Sequence, residues 1–187
     1  PVKPASIPIV DGHDIEHLFY PLVLARNVNA GFLAPVNPVF SRQLLPEPEQ
    51  ASLEPHKPSL RSDKVFFKST QFRSGITRGA TFVLYETSPT KKVVGEARVS
   101  SVEVGNTGEI YAKFKRKGVV TEDDLKQWEA PENGEVQAIL LERWLKYPHA
   151  LDENAIKAVV PNFNPQGTLQ LTREKLQELR KAGGYYA

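Results

Sequence analysis

The sequence contains no cysteine and no methionine among its 187 residues. The absence of cysteine excludes disulfide bonds, thiolate zinc sites and a cysteine nucleophile from this chain. The sequence also lacks the apolar run of about 18 residues that a membrane-spanning helix needs. Its proline-rich start has no apolar segment of the signal-peptide kind. We therefore expect a cytoplasmic protein without a membrane segment.

Net charge is small, because 24 Lys and Arg residues stand against 22 Asp and Glu residues. A net charge of +2 does not predict nucleic-acid binding, since affinity for phosphate depends on local clustering of charge. Two local clusters are present: eight basic against two acidic residues between positions 57 and 92, and "KFKRK" at 113–117. They are either solvated charges on separate surfaces or parts of one binding surface.

Prolines are concentrated near the start, with ten of the fifteen in the first 60 residues. Each proline fixes its own φ and removes a hydrogen-bond donor. The segment 33–60 is therefore predicted as an extended loop without a helix or central strand. We expect it to pack on the rest of the chain through Phe40, Leu44 and Leu45. Before it, "SIPIV" predicts a short edge strand, and residues 14–27 have the apolar spacing of a helix.

After residue 63 the apolar patterning becomes that of β-strands. Strands are predicted near 64–68, 81–86, 92–104 and 135–144. Helices are predicted near 121–129 and 171–182, and another in "LDENAIKAV". Thr121 and Asp124 form a potential capping box for the first of these helices, while Thr172 and Gly183 mark the ends of the last. The length favours a single domain.

Several segments of this chain resemble the ASCH family of the PUA-like superfamily. "KSTQFRSGITRGATFVLYET" is similar to the lysine-led motif of that family, with Lys68, Gln71 and Arg73 at the motif positions. "KKVVGEARVSSVEV" resembles an internal strand, and "GEVQAILLERWLKYP" with "LDENAI" resembles the closing strand and its helix. "NPQGTLQLTREKLQEL" is similar to the tail of several PUA-like relatives, and the likeness is best over 61–182.

The resemblance implies an α+β protein: a PUA-like, mostly antiparallel β-barrel flanked by helices. In this interpretation residues 1–187 form one ASCH-type domain, and 31–62 is a proline-rich inserted loop. No cofactor is implied. "HDIEH" at 13–17 has the spacing of an inverted zincin motif, but Pro21 follows within about one turn, so we expect no metal site. Trp128 and Trp144 are expected to be packing residues, not an aromatic cage.

The resemblance and the local basic charge favour a module that binds RNA or a modified nucleobase. Lysine supplies a point charge and arginine a planar fork, a pair that suits phosphate or a base edge. A phenylalanine, Phe67 or Phe72, would stack on a splayed base. Glu96, if it faces a barrel mouth, would accept hydrogen bonds there. The predicted contacts are Lys68, Thr70, Phe72, Arg73 and Glu96, with Lys113, Lys115, Arg116 and Lys117 as a phosphate-contacting edge.

Three alternatives remain open from the sequence. The chain is an enzyme of the same superfamily, a modified-nucleoside amidohydrolase or a ribonuclease, in which the motif lysine acts in catalysis. A second alternative is that the proline-rich arm contacts a protein partner or a second copy of this chain. The third is that residues 64–86 form an ordinary β-hairpin with its phenylalanines in the core and its cations in solvent.

Overall fold

The computed structural model describes residues 31–45, 63–70, 75–128 and 134–185. The predicted strand "SIPIV" and the predicted helix at 14–27 lie outside these residues. The strands are β1 (Gly31–Val36), β2 (Lys64–Ser69), β3 (Thr81–Glu86), β4 (Lys92–Asn106), β5 (Glu135–Asp152) and β6 (Leu169–Leu171). The helices are α1 (Pro38–Leu44), α2 (Thr107–Phe114), α3 (Glu122–Trp128), α4 (Glu153–Val159) and α5 (Arg173–Ala182).

The six strands form one sheet in the order β2-β5-β4-β3-β1-β6. Every pairing is antiparallel except that of β1 with β3, which is parallel. The four strands predicted after residue 63 are confirmed, and β5 extends to Asp152. The protein is therefore an α+β protein with a mixed sheet. Among the described residues the edge strands β2 and β6 do not pair with each other, so backbone hydrogen bonds do not close the sheet into a barrel.

The prediction that 33–60 contains no helix or central strand is wrong for its first part. β1 lies inside the sheet, between β3 and β6. It tolerates Pro35 because β6 pairs only with Gly31–Leu33, so the proline lies beyond the end of that pairing. Proline content therefore does not exclude a strand when the neighbouring strand on one side is as short as β6.

α1 also lies in the segment predicted as loop. Pro38 stands in its first turn, where the missing N–H has no intrahelical acceptor to lose. The side chain of Asn37 caps this end by accepting a backbone hydrogen bond. Leu44 and Leu45 are buried in the core and Phe40 packs against it, which confirms the predicted packing contacts.

The sheet curls around an inner hydrophobic cluster. Successive side chains of a strand point to opposite faces, so strands β1 to β5 contribute alternate residues to this cluster. The ring of Phe66 on β2 lies 5.1 Å from the ring of Phe82 on β3, although two strands separate them in the sheet. The members include Phe32, Ala34, Leu84, Ala97, Val99, Ile139 and Leu141. Trp144 packs against the same cluster, as expected of a packing residue.

Two further clusters cover the outer face of the sheet. One joins the sheet to α4 and α5 through Val83, Leu151, Ile156, Leu176 and Leu179. The other joins β2 and β5 to α2 and α3 through Val65, Phe67, Ile110, Phe114 and Leu125. Trp128 packs at this second cluster and makes an edge contact with Phe40. Helices α2 to α5 therefore cover the outer face, whereas α1 packs against the inner cluster through Leu44.

The helix ends agree with the predicted signals where those signals were present. The backbone N–H of Thr121 donates to Asp124, and the N–H of Asp124 donates back to the Thr121 hydroxyl, which confirms the capping box. Thr172 and Gly183 cap α5 as predicted. α2 was not predicted, although its N-cap is a favoured residue, Asn106. Helix α2 follows β4 without a loop, so the sequence pattern of the long strand gives no sign of where the helix begins.

Candidate functional site

Lys68 lies near the end of β2 and on the inner face of the curled sheet. Residues 64, 66 and 68 share one face of this strand, and Phe66 belongs to the inner side. The Nζ atom of Lys68 donates a 2.8 Å hydrogen bond to the hydroxyl of Thr168. Thr168 immediately precedes β6, so this contact links the two edge strands of the sheet.

Burial lowers the pKa of Lys68, because the charged ammonium loses part of its hydration. Its partner is a neutral hydroxyl, and among the described residues no carboxylate forms an ion pair with it. A lysine ammonium has three N–H donors, and Thr168 accepts only one. Lys68 is therefore a half-buried cation that retains donors for a ligand.

A row of three side chains crosses the inner face at this position. Lys68 on β2 stands opposite Gln137 on β5, and Gln137 stands opposite Val104 on β4. Directly opposed residues in antiparallel strands have Cβ atoms about 5 Å apart. Gln137 is half-buried, and Val104 is 53% exposed. We call these three residues the mouth row.

The sequence did not identify Gln137 or Val104 as site residues. A strand pattern shows which residues share a face, but it gives no register between strands that are distant in the chain. The next row toward the core is apolar and consists of Phe66, Ile139 and Val102. The mouth row therefore borders an apolar surface.

The remaining predicted residues of the lysine-led segment are only partly described. Thr70 lies beside Lys68, and its hydroxyl donates a 3.3 Å hydrogen bond to the backbone carbonyl of Glu135 at the start of β5. Phe72 and Arg73 lie outside the described residues. The structure thus brings Thr70 to the same end of β2 as Lys68.

The predicted role of Phe67 in stacking disagrees with its position. Phe67 is buried in the outer cluster beneath α2 and α3. Its neighbour Phe66 points to the opposite face and is half-buried beside the mouth row. Of these two rings, Phe66 is therefore the one placed for stacking on a ligand.

The predicted contact by Glu96 disagrees with its position, because this residue is 0% exposed and does not face the inner side. It stands opposite Val83, which belongs to the outer cluster under α5. Its carboxylate accepts hydrogen bonds of 3.0 Å from Nε and 2.7 Å from Nη2 of Arg180, and one of 2.9 Å from the Tyr147 hydroxyl. Glu96 therefore belongs to a buried ion pair that fastens α5 to the sheet.

The basic cluster "KFKRK" is beside the other end of β2. The backbone N–H of Val65 donates to the carbonyl of Lys117, and Gly118 forms a bridge with Val65. Val65 and Lys68 are three residues apart on the strand, which corresponds to about 10 Å. The basic cluster and the mouth row thus lie along the same edge strand.

Not all charges of this cluster are equally available. Lys113 forms an ion pair with Glu103, and Lys117 forms one with Asp63. Lys115 and Arg116 are exposed. These two side chains are therefore the members best placed to bind phosphate.

Within residues 31–45, 63–70, 75–128 and 134–185, no helix has the length and apolar content to cross a bilayer. The same residues contain no group of three or more histidine, aspartate or glutamate side chains arranged to hold a metal ion. "HDIEH" lies outside the described residues.

Comparison with known proteins relates this chain to a family and to a fold. The family described as "Domain of unknown function (DUF365)" matches residues 59–163, more than half of the chain. The large ribosomal subunit protein uL22 of Ureaplasma parvum serovar 3 is 32% identical over 95 residues, which are 50% of this chain. The chain spans only 28% of the length of that curated relative.

The fold is similar to that of an ASCH protein of known structure. The crystal structure of ASCH from Zymomonas mobilis covers 81% of this chain, with 94% of its own length, at a TM-score of 0.64 and 18% identity. Two substituted forms of the Zymomonas protein give TM-scores of 0.65. At this identity the likeness establishes the fold alone. The chain therefore belongs to the DUF365 family, and its fold is similar to that of the Zymomonas ASCH protein.

Proposed function

We propose that this protein is a PUA-like module that binds RNA or a modified nucleobase at the mouth row. The observation that carries the proposal is the position of Lys68: a half-buried ammonium whose described partner is a neutral hydroxyl. Burying a cation is costly unless acceptors compensate for the lost water. A base carbonyl or a phosphate oxygen is such an acceptor.

The proposal includes a barrel that closes around the inner cluster. The hydrogen bond from Lys68 to Thr168 spans the two edge strands, and the ring contact of Phe66 with Phe82 spans the interior. Both contacts support closure through side chains where backbone pairing is absent. A ligand would then enter at the end of β2, beside Lys68.

The basic cluster supplies the phosphate contacts in this proposal. Lys115 and Arg116 are exposed, and they directly precede Lys117, whose carbonyl accepts a hydrogen bond from Val65 near the other end of β2. A single-stranded RNA that follows β2 would place its backbone on these cations and one base at the mouth row. Thr70, Phe72 and Arg73 remain proposed contacts.

The first experiment compares binding of short single-stranded RNAs by the wild type, Lys68→Ala and the Lys68→Ala, Arg73→Ala double variant. Each variant should lose binding free energy, because removal of one good contact to a base edge costs about 1–3 kcal/mol. Lys157→Ala is a matched control, because Lys157 is an exposed lysine on α4, at the outer cluster. Equal affinities of the wild type and the double variant on several RNAs would reject the site.

A salt titration separates the two basic regions. Replacing Lys115 and Arg116 by alanine should weaken binding evenly across RNA sequences and lower the salt dependence, because phosphate contacts release counterions without reading bases. Lys181→Ala, a change of an exposed lysine on α5, should alter neither property. A change of sequence preference in the Lys115 and Arg116 variant would contradict the assigned phosphate role.

A second candidate function is hydrolysis of a modified nucleoside or of RNA. The lowered pKa of Lys68 favours it, because burial makes the ammonium release its proton more readily, and the neutral amine can act as a base or nucleophile. Glu135 stands two residues before Gln137 on the same strand face, so an acid is present at this end of the sheet. Incubating purified protein with modified nucleosides and short RNAs tests this function. Binding without product formation would leave only the binding module.

Some predictions from the sequence are not tested by the structure. Contact of the proline-rich arm with a protein partner or a second copy involves residues 46–62, which lie outside the described residues. The organisation of 1–187 as one domain and the cytoplasmic location also stay predictions.

A further inference from the structure

The mouth row contains an amide that the predicted site did not include. The side chain of Gln137 stands between Lys68 and Val104 in the register of three neighbouring strands. It is half-buried, and the described residues provide no hydrogen bond to it. A partly buried amide without a protein partner is costly unless water or a ligand satisfies it.

The chemistry of an amide differs from that of a lysine. The glutamine amide has one acceptor oxygen and two N–H donors, so it can form two hydrogen bonds with the edge of a base. The ammonium beside it, about 5 Å away between Cβ atoms, only donates. A phosphate would use the donors of Lys68 but would leave the acceptor of Gln137 unused. The pair is therefore better suited to a base edge than to a phosphate.

The lysine restricts which base can satisfy the pair. If Gln137 binds two adjacent polar groups of a base, Lys68 requires an additional acceptor next to them. Uracil, cytosine and guanine each carry a ring carbonyl that can accept from an ammonium, whereas adenine carries none. The arrangement thus favours bases with a carbonyl.

The surroundings of the amide provide the apolar surface that a base needs. Phe66, Ile139 and Val102 form the adjacent row in register, and Phe66 is the half-buried aromatic ring among them. Val104, next to Gln137, is 53% exposed, so apolar surface remains uncovered at the mouth. Unstacked bases of single-stranded RNA bind by contact of this kind together with hydrogen bonds at their edges.

From these contacts we infer that Gln137 is a specificity-determining residue, which with Lys68 selects uracil, cytosine or guanine over adenine in single-stranded RNA. This inference rests on the proposed function, because it assigns base selectivity to the same site. It adds Gln137 to the site and states which bases the site prefers, and neither follows from Lys68 alone.

The test measures the affinities of short homopolymers of uridine, cytidine and adenosine for the wild type and for Gln137→Leu. We expect the wild type to bind the two pyrimidine homopolymers at least about tenfold more tightly than the adenosine homopolymer, as one good base contact provides. Gln137→Leu should reduce this ratio to about twofold or less, because the amide no longer fixes the orientation of the base and Lys68 can then donate to a ring nitrogen of adenine instead of a carbonyl; binding of the adenosine homopolymer persists. Retained binding also shows that the variant is folded.

Two further variants make the outcome decisive. Gln137→Ser removes the amide without adding apolar surface and should also lose the preference. Gln177→Leu changes an exposed glutamine on α5 and should keep it. If the wild type binds RNA but does not discriminate, or if both Gln137 variants keep the preference, this inference fails and the proposed function stands. If the wild type binds none of the RNAs, both fail.

Discussion

Removal of Arg180 should strongly destabilise the fold. Arg180 is 1% exposed and its partner Glu96 is 0% exposed, so neither charge is solvated by bulk water. Arg180 donates to both carboxylate oxygens of Glu96 and also to the hydroxyl of Thr81. Arg180→Met retains much of the side-chain volume but removes the arginine that pairs with the buried Glu96 carboxylate. Breaking a buried pair in this way costs about 3–5 kcal/mol, against a total stability of about 5–15 kcal/mol for an ordinary domain.

Urea unfolding monitored by circular dichroism measures this loss. The double variant Arg180→Met, Glu96→Leu should be more stable than Arg180→Met alone, because it removes the carboxylate together with the arginine that paired with it. Lys126→Met removes an exposed pair with Glu122 on α3 and should cost less than about 0.5 kcal/mol. A loss below about 1 kcal/mol for Arg180→Met, or a double variant less stable than the single one, would refute the reasoning.

Three further predictions concern the site and the sheet. Binding of a cytidine homopolymer should weaken as pH rises through the lowered pKa of Lys68, because the ammonium loses its proton. The Lys68→Arg variant should keep its affinity to higher pH, since arginine stays charged. Identical pH dependences of binding for the wild type and this variant would contradict the prediction. Gly95→Ala should lower the free energy of unfolding in urea by about 1–3 kcal/mol, since the added Cβ would lie 2.5 Å from the Leu145 carbonyl oxygen. Gly167→Ala is the control and should change it little, because the added Cβ meets no atom within 4 Å. Leu44→Ala should cost about 2–5 kcal/mol, because Leu44 is fully buried in the inner cluster; a smaller loss would show that α1 is weakly anchored.

The lowered pKa of Lys68 also has a defined effect on stability. The unfolded chain keeps the proton up to the ordinary pKa of lysine, while the folded protein releases it at lower pH. Between these two values the unfolded state binds more protons, so stability rises with pH. Lys68 therefore destabilises the fold when charged, and this cost is relieved in alkaline solution. Because the Lys68 ammonium is partly exposed to solvent, its effect on stability is small.

Local sequence determined most of the secondary structure of this protein. Alternating and continuous apolar runs predicted β2, β3, β4 and β5, since the two faces of a strand differ in environment every second residue. The capping residues Thr121 and Thr172 predicted where α3 and α5 begin, because a hydroxyl there satisfies backbone N–H groups of the first turn. Each of these signals involves residues only a few positions apart, so it can be read from the sequence alone.

The tertiary structure decided what the local signals left open. β1 contains Pro35 and is a strand only because β3 pairs with it in parallel across about 50 residues of chain. Glu96 and Lys68 are both charged residues on strands, yet one is buried against α5 and the other borders the mouth row. The face of Glu96 depends on the bulged register between β4 and its neighbours, and that of Lys68 on the register between β2 and β5. A shift of one residue in either pairing would move the side chain to the opposite face.

The candidate site shows the same division. The sequence identified Lys68 through its resemblance to a lysine-led motif, and its position near the end of an apolar strand is a local property. The proximity of Gln137 comes from pairing of β2 with β5, and that of Thr168 comes from a contact across 100 residues of chain. Such contacts form when the sheet curls to bury its inner cluster, which is a property of all the strands together. The sequence therefore determined which residue types were available, and only the packed sheet decided which of them meet.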